Sequence, residues 1–316
     1  MEMSKDSNFS APMAEPVKPM PHKAPGTSGK AIASLVLGLL SIVGMCLTGI
    51  PGLILGIMGL GDIGKSGGRV GGKGLAIAGI VLSSLGIFWT VIAILIGMLL
   101  PAVQQVRQAA RTVTSQNNVR QQVLGMLNYE SSHGEFPLQD NNGLSWRVHI
   151  LPYMDHQHLY QQFNLEEPWD SPTNIALLPQ MPIFYDCPSV GHLPPGFTVY
   201  QVPYTDVSDG SNPEFRALFE NSGEGVKFME ITDGMSNTIA VVEVDAAAAV
   251  EWTKPADWEY DPSDPMHDLG NVNPGRIIVG MADGSVNTVP TDVNPAQFDA
   301  MTTRNGGEEI DASNLR

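Results

Sequence analysis

The sequence predicts an α+β protein in which N-terminal transmembrane helices lead through a long stalk helix to a small antiparallel-sheet head with peripheral helices. Three observations predict this class. Residues 75–100 contain no Asp, Glu, Lys, Arg or His and, at about 1.5 Å per residue, can cross a hydrocarbon layer of about 30 Å. Residues 101–134 continue as an amphipathic helix. From residue 135 to residue 316, short apolar or alternating runs are separated by turn-forming residues.

Residues 31–100 form the predicted membrane module, with helices at about 31–48, 51–63 and 75–100. A Gly-Ile-Pro sequence separates the first two helices, because proline ends a helix and glycine permits a tight turn. The first helix begins AIASLVLGLLS, and the third contains the similar AIAGIVLSSLG. Small residues recur on one face of each copy, and we expect them to form a packing face between membrane helices: Ala31, Ser34, Gly38, Ser41, Ala76, Gly79, Ser83 and Gly86.

The distribution of charge predicts the orientation of this module. Residues 1–30 form a proline-rich tail that we expect to be disordered, and the tail and the glycine-rich loop before residue 75 are both basic. The positive-inside rule places both in the cytoplasm, so that three crossings carry the head outside the bacterial inner membrane. Two crossings would instead place the loop outside and the head inside, which we consider the weaker alternative.

The composition of residues 101–316 excludes some classes of partner. This part carries ten basic and 29 acidic residues, a net charge of −19, which would repel nucleic acids and anionic lipids. A divalent cation or a basic partner is compatible with it. The chain has two cysteines, Cys46 and Cys187, so the head contains no internal disulfide.

Within residues 101–316, spacing and turn chemistry predict the individual elements. The stalk helix should end at Gly134 with a glycine C-cap, and residues 145–163 should be helical with a break near Pro152. Ser171 and Asn294 are candidate N-caps, each followed by proline. Three further segments have the apolar or alternating patterns of strands: TVYQVPY, TIAVVEV and RIIVGM.

No residue pattern specifies a catalytic or cofactor site. The sequence lacks a Gly-x-Ser-x-Gly motif, and His156 and His158 would point about 200° apart on the predicted helix. The densest acidic segment offers weak calcium candidates, without the regular spacing of a calcium loop: Asp257, Glu259, Asp261 and Asp264. Three aromatic residues beside it would suit either a carbohydrate- or partner-binding surface or the core: Trp252, Trp258 and Tyr260.

Several segments, in order, resemble a large bacterial family of pilin-like membrane proteins of unassigned function. They include LLPAVQQVRQAAR at 99–111, NYESSHGEFP at 128–137, FYDCPS at 184–189 and ITDGMSNTIAVVE at 231–243, and together the matching pieces cover most of 99–308. Residues 31–86 resemble a separate glycine-rich membrane module, also of unknown function, which is found fused to various bacterial domains. The resemblance implies a membrane-anchored, pilin-like fold.

The chain departs from this family in two places. The family is named for a His-x9-Asp-Gly motif, and here Asn273 stands in place of the histidine before Asp283 and Gly284. We expect residue 273 to reach the Asp-Gly turn from the preceding strand, and we expect that turn to be structural. Residues 86–91 also lack the glutamate of a cleavable prepilin leader, so we expect permanent anchoring without processing.

The expected function is that of a non-enzymatic, membrane-anchored envelope or surface protein whose acidic head makes structural or protein-binding contacts. Its expected partners are the lipid bilayer and other envelope proteins or further copies of itself, with no nucleic acid and no cofactor. The alternative is a tethered module that binds a solute or a glycan. A pocket with convergent polar groups and a perturbed carboxylate would favour that alternative, whereas an exposed apolar patch would favour a protein partner.

Overall fold

The computed structural model describes residues 26–44, 46–138, 143–191, 193–207, 216–220 and 223–307. The chain divides into two compact units, Met1–Val103 and Gln104–Arg316. The predicted disordered tail lies outside the described residues up to residue 25. Of its last residues, which the structure describes, Gly26–Thr27 forms strand β1.

The first unit is built from three helices and one short parallel pair of strands. Strand β1 pairs with β2, Val70–Gly71. The helices are α1, Gly29–Gly44, α2, Cys46–Lys65, and α3, Lys73–His133, which continues into the second unit. Among the described residues, α2 from Leu47 and α3 are long and apolar enough to cross a membrane, whereas the apolar part of α1, Gly29–Ser41, is shorter.

The expected helix break at Gly49-Ile50-Pro51 is wrong, because all three residues lie inside α2. The two helices meet instead between Gly44 and Cys46. Pro51 lies in the second turn of α2, and the helix continues past it although the proline has no N–H to donate to the carbonyl of Leu47.

The small residues of the two repeated segments pack against each other. Ala31, Ser34, Ser41, Ala76 and Ser83 are buried. A methyl group built on Gly38 would lie 2.9 Å from the carbonyl oxygen of Gly79, and one built on Gly79 would lie 2.7 Å from the carbonyl carbon of Ser34. On Gly86 it would lie 2.8 Å from the Cβ of Ser41. The backbones of α1 and α3 are therefore close enough to exclude larger side chains.

Helix α2 contributes glycines to the same packing, which the repeat in the sequence did not indicate. A methyl group on Gly52 would lie 3.1 Å from the Cβ of Leu37, and one on Gly56 would lie 2.6 Å from Cγ1 of Ile80. The hydroxyl of Ser34 also donates to the carbonyl of Gly52 at 3.0 Å. All three helices of the unit therefore meet at small residues.

The second unit contains the stalk, which is the part of α3 from Gln104 to His133, and a head of short elements. The predicted C-cap is present, since Gly134 follows α3 with a φ of +79°. The predicted helix at 145–163 is divided into three short helices, because Asp155 adopts a φ of +61° in addition to the break near Pro152.

The head helices are α4, Trp146–His149, α5, Gln157–Tyr160, α6, Pro172–Ile175, and α7, Pro295–Thr302, with 3-10 turns at Leu151–Met154, Leu178–Gln180, Ile183–Tyr185, Phe228–Glu230 and Ala246–Ala248. Both predicted N-caps form hydrogen bonds, from Asn174 N to Ser171 and from Ala296 N to Asn294.

The head strands form three small sheets. They are β3, Phe197–Thr198, β4, Tyr200–Gln201, β5, Pro203–Thr205, β6, Phe219–Glu220, β7, Ile239–Glu243, β8, Val250–Glu251, β9, Trp258–Glu259, β10, Arg276–Met281, and β11, Val286–Pro290. The main sheet, β11-β10-β7-β4, is antiparallel, as predicted, and β3 pairs antiparallel with β8, but β6-β5-β9 is parallel. The segment TVYQVPY was expected to be one strand and is divided among three. Strands β4 and β5 are separated at Val202, whose N–H leaves the sheets to donate to Asp257.

The stalk packs on the main sheet at a glycine. A methyl group built on Gly280 would lie 2.6 Å from Val119 and 2.7 Å from Val123. The absence of a side chain on β10 therefore lets the helix approach the sheet closely. This approach places the polar residues of the buried helix face beside β7, where the candidate site lies.

Candidate functional site

A row of polar residues lies on the buried face of the stalk. Ser115, Asn118 and Gln122 follow one another at helical spacing, and all three are buried. The side-chain amides of Asn118 and Gln122 donate to the carbonyls of Asp186 and Phe184 at 2.9 and 2.7 Å. The row therefore holds the FYDCPS segment against the helix.

The first residue of this row contacts the buried carboxylate of Glu243, at the end of β7. The hydroxyl of Ser115 donates to Oε1 of Glu243 at 2.6 Å, and the thiol of Cys187 donates to the same oxygen at 2.9 Å. The hydroxyl of Tyr200 lies 2.6 Å from that of Ser115, to which it donates because the serine proton is used for Glu243. The amide of Asn273 donates to Oε2. Each of these donors is neutral.

Asn273 is held in this orientation by a neighbouring hydroxyl group. The hydroxyl of Ser189 donates to its Oδ1 at 3.0 Å, which leaves its amide nitrogen facing Glu243. The expectation that residue 273 reaches the Asp283 turn is wrong. Asn273 lies in the turn before β10 and Asp283 lies after it, so that about 20 Å of strand separates them.

Burial dominates the electrostatics of this cluster. It raises the pKa of Glu243 from the ordinary value of 4.5, and its effect exceeds the opposing effect of the hydrogen bonds from Cys187, Ser115 and Asn273. Burial and the neighbouring Glu243 raise the pKa of Cys187 to about 12. A thiol with this pKa stays protonated and is a poor nucleophile. The cluster is thus suited to joining the stalk, the FYDCPS segment and the sheet.

A second buried polar centre joins α4 to the segment before β9. Nη2 of Arg147 lies 2.6 Å from Oδ1 of Asp257, and both side chains are fully buried. The same oxygen accepts from the indole N–H of Trp146 at 3.1 Å and from the N–H of Val202 at 3.0 Å. The guanidinium also donates to the carbonyl of Tyr200. Asp257 therefore organises a structural junction.

The calcium candidates do not form one group. Asp257 belongs to the buried junction, Glu259 is exposed on β9, and Asp264 is exposed beyond it. Asp261 is exposed and accepts from the N–H and hydroxyl of Ser263, which lower the pKa of its carboxyl. Within the described part of the chain, no three His, Cys, Asp or Glu residues lie close enough together to hold a metal ion.

The three aromatic residues beside this segment belong to the core. Trp252 and Trp258 are buried, and their indole N–H groups donate to the carbonyls of Leu178 and His267. Tyr260 is buried and its hydroxyl donates to Asp299. These residues therefore offer no surface to a carbohydrate or a partner.

The Asp283-Gly284 turn connects β10 to β11 through a loop of three residues. The N–H of Met281 bonds to the carbonyl of Ser285, and Gly284 alone within the loop has a positive φ, at +88°. Asp283 acts differently, since its carboxylate accepts from the N–H of Ser285 at 2.8 Å. The turn thus depends on the glycine backbone and on one side-chain acceptor.

We predict that Gly284→Val destabilises the head by about 1–3 kcal/mol, because a β-branched residue is strained at this φ. Asp283→Asn should change stability by less than about 0.5 kcal/mol, because asparagine keeps an acceptor for Ser285. Thermal melts of the full-length protein in detergent measure both. If Asp283→Asn leaves the melt unchanged and abolishes binding of a metal or ligand, the turn is a functional site and not a structural one.

Four large apolar side chains of the described head are exposed to solvent. Phe228 and Met229 are adjacent and 54% and 90% exposed, and Ile183 is 83% exposed. Ile183 borders an open cleft of about 320 Å³ whose other lining includes prolines and Asp186. The fourth side chain, Ile175 in α6, is 44% exposed, and these four are the large apolar groups of the described head that are available to a partner.

Most residues of the Glu243 cluster were missed in the sequence, although two signals were present. Glu243 interrupts an otherwise apolar strand, and a carboxylate at such a position requires internal partners. Ser115, Asn118 and Gln122 recur at three- and four-residue steps, which marks a polar row on one helix face. Only Asn273 had been singled out, from the family motif.

Two family models match the chain. One, described as a protein of unknown function (DUF1559), matches residues 104–270, and the other, a domain of unknown function (DUF4190), matches residues 30–93. The first family is pilin-like and surface-associated in general, with no known function. No curated protein and no solved structure matches the chain.

Proposed function

Because the chain belongs to the DUF1559 family, we propose that it is a membrane-anchored, non-enzymatic envelope protein whose acidic head makes contacts with other proteins. The observation that carries this proposal is the distribution of polar and apolar groups in the head. The two side chains that could act as a catalytic group or a ligand, those of Glu243 and Cys187, are buried and hydrogen-bonded to each other. The exposed Ile183, Phe228 and Met229 are apolar and suit a protein partner.

The anchor would consist of three membrane crossings, with residues 104–316 outside the bacterial inner membrane. Two helices have the length and composition of membrane spans, and α1 supplies a third apolar segment that packs on them at small residues. Lys65 ends α2, Arg69 lies in the connection to α3 and Lys73 begins α3, and this basic charge favours the cytoplasmic side.

A photo-crosslinking amino acid placed at Met229 or Ile183 in living cells tests the contact surface. Each should give a discrete adduct larger by the mass of a second protein. The same amino acid at Glu259, which is exposed but polar, is the matched control and should give little adduct. Equal adduct yields at all three positions, or no adduct with any protein, would contradict the proposal.

A head that binds a solute or a glycan is the second candidate, and the open cleft beside Ile183 favours it. Its only carboxylate among the lining residues is that of Asp186, and the perturbed carboxylate of Glu243 lies elsewhere, buried. The crosslinking experiment separates the two candidates, because a small ligand would add only its own mass, and only at position 183.

A further inference from the structure

The stalk carries a second apolar face that the head does not cover. Val106, Ala110, Val113 and Asn117 recur at steps of four, three and four residues, and all four are exposed. Val106 and Val113 are 68% and 54% exposed. We call these four residues the seam. In the sequence, Val103 continues the same spacing toward the membrane segment.

The seam lies on the opposite side of the helix from the face that packs on the head. At about 100° per residue, the seam and the buried residues Ser115, Val119 and Gln122 are separated by roughly 180°. The described part of the head therefore does not cover the seam. Spacing that alternates between three and four residues is that of the a and d positions of a coiled coil, whose apolar residues are covered by another helix with the same spacing.

We propose that two copies of this chain pair through the seam as a parallel, in-register dimer. The inference rests on the membrane anchoring proposed above, because two stalks that emerge from one membrane can meet only in parallel. Asn117 occupies an a position at the head-proximal end of the seam, and one asparagine at such a position selects a two-stranded, in-register pair by bonding to its own copy.

The residues beside the seam are compatible with this pairing. In a parallel dimer, each g position faces the e position five residues later in the other copy. The pairs are Ala102 with Arg107, Ala109 with Thr114 and Gln116 with Gln121. None of them brings like charges together, and the small alanines permit close approach of the helices.

Cysteine crosslinking of the full-length protein in native membranes tests the dimer, in a Cys46→Ser background in which the buried Cys187 is retained. Under a mild oxidant, Val106→Cys and Val113→Cys should each give a covalent dimer of twice the chain mass, because a and d positions bring paired cysteines within disulfide reach. Gln108→Cys, exposed on the opposite side of the helix, is the control and should remain monomeric. Adding Asn117→Asp should abolish the dimer at position 113, because two carboxylates would face each other in the seam.

Monomers for all three cysteines, or dimers of equal yield at position 108, would overturn the proposal. Persistence of the dimer with Asn117→Asp would also overturn the in-register pairing. A failure of the dimer can be distinguished from a failure of the proposed function. Labelling of a head cysteine from outside the cell reports the anchoring and the orientation whether or not a dimer forms.

Discussion

Replacing Asp257 by alanine is expected to destabilise the head by about 3–5 kcal/mol. The substitution leaves the guanidinium of Arg147 buried without its carboxylate, and it removes the acceptor of Trp146 and of the Val202 N–H. The cost of a buried, unpaired cation exceeds the net stabilisation that the ion pair provides, since burying both ions also costs hydration free energy.

Asp261→Ala is the matched control for this prediction, because Asp261 lies in the same acidic segment but is exposed. We expect its free energy of unfolding to stay close to that of the natural protein. Urea unfolding of the full-length protein in detergent, followed by the fluorescence of the buried tryptophans, measures both variants. Adding Arg147→Met to Asp257→Ala should recover part of the loss, because it removes the buried charge. Equal effects of the two alanine substitutions would contradict the buried junction.

Glu243→Ala is expected to cost about 3 kcal/mol or more, because the donors of Ser115, Cys187 and Asn273 lose a buried acceptor at once. Glu243→Gln is the matched variant, since it keeps the shape and one carbonyl oxygen. It should cost clearly less, because the amide of Asn273 can turn over while Ser189 accepts in place of donating. If the two variants unfold at the same urea concentration, the hydrogen bonds to Glu243 contribute nothing to stability.

The stability should also depend on pH through Glu243. Because its pKa is raised in the folded protein, the folded state holds the proton more tightly than the unfolded chain does. Its contribution is complete below the ordinary pKa of 4.5 and is lost as pH rises through the folded value. The natural protein should therefore lose stability relative to the Glu243→Gln variant as the pH rises. Urea midpoints across the acidic range measure this difference, and a shift in the opposite direction would show that the pKa is lowered.

Local signals in the sequence predicted the parts of the fold that depend on neighbouring residues. Gly134, Ser171 and Asn294 act as caps through contacts within a few residues, and the β10-β11 hairpin closes across Gly284. The small faces around Gly38 and Gly79 followed from a repeated spacing. Each of these features is determined over one or two turns of chain.

The remaining features depend on contacts between distant segments, which spacing does not contain. The separation of β4 from β5 at Val202 depends on Asp257, more than 50 positions away, and the partner of Asn273 is Glu243 and not Asp283. Pro51 was expected to break a helix, but α2 continues through it and packs on the other two helices at Gly52 and Gly56. The sequence predicts which residues of the site lie on the stalk helix and which on strands. Which of these residues contact one another depends on how closely the stalk approaches the sheet at Gly280.

The central claim is that the acidic head lies outside the membrane while the basic loop lies inside, and cysteine labelling tests it most directly. In a Cys46→Ser background, a membrane-impermeant maleimide is applied to intact spheroplasts that carry either Asp261→Cys in the head or Lys65→Cys at the end of α2. Cys187 should not react, because it is buried and its pKa is raised to about 12. The account predicts labelling at position 261 in intact spheroplasts and at position 65 only after lysis. Labelling at position 65 with protection of position 261 would contradict it.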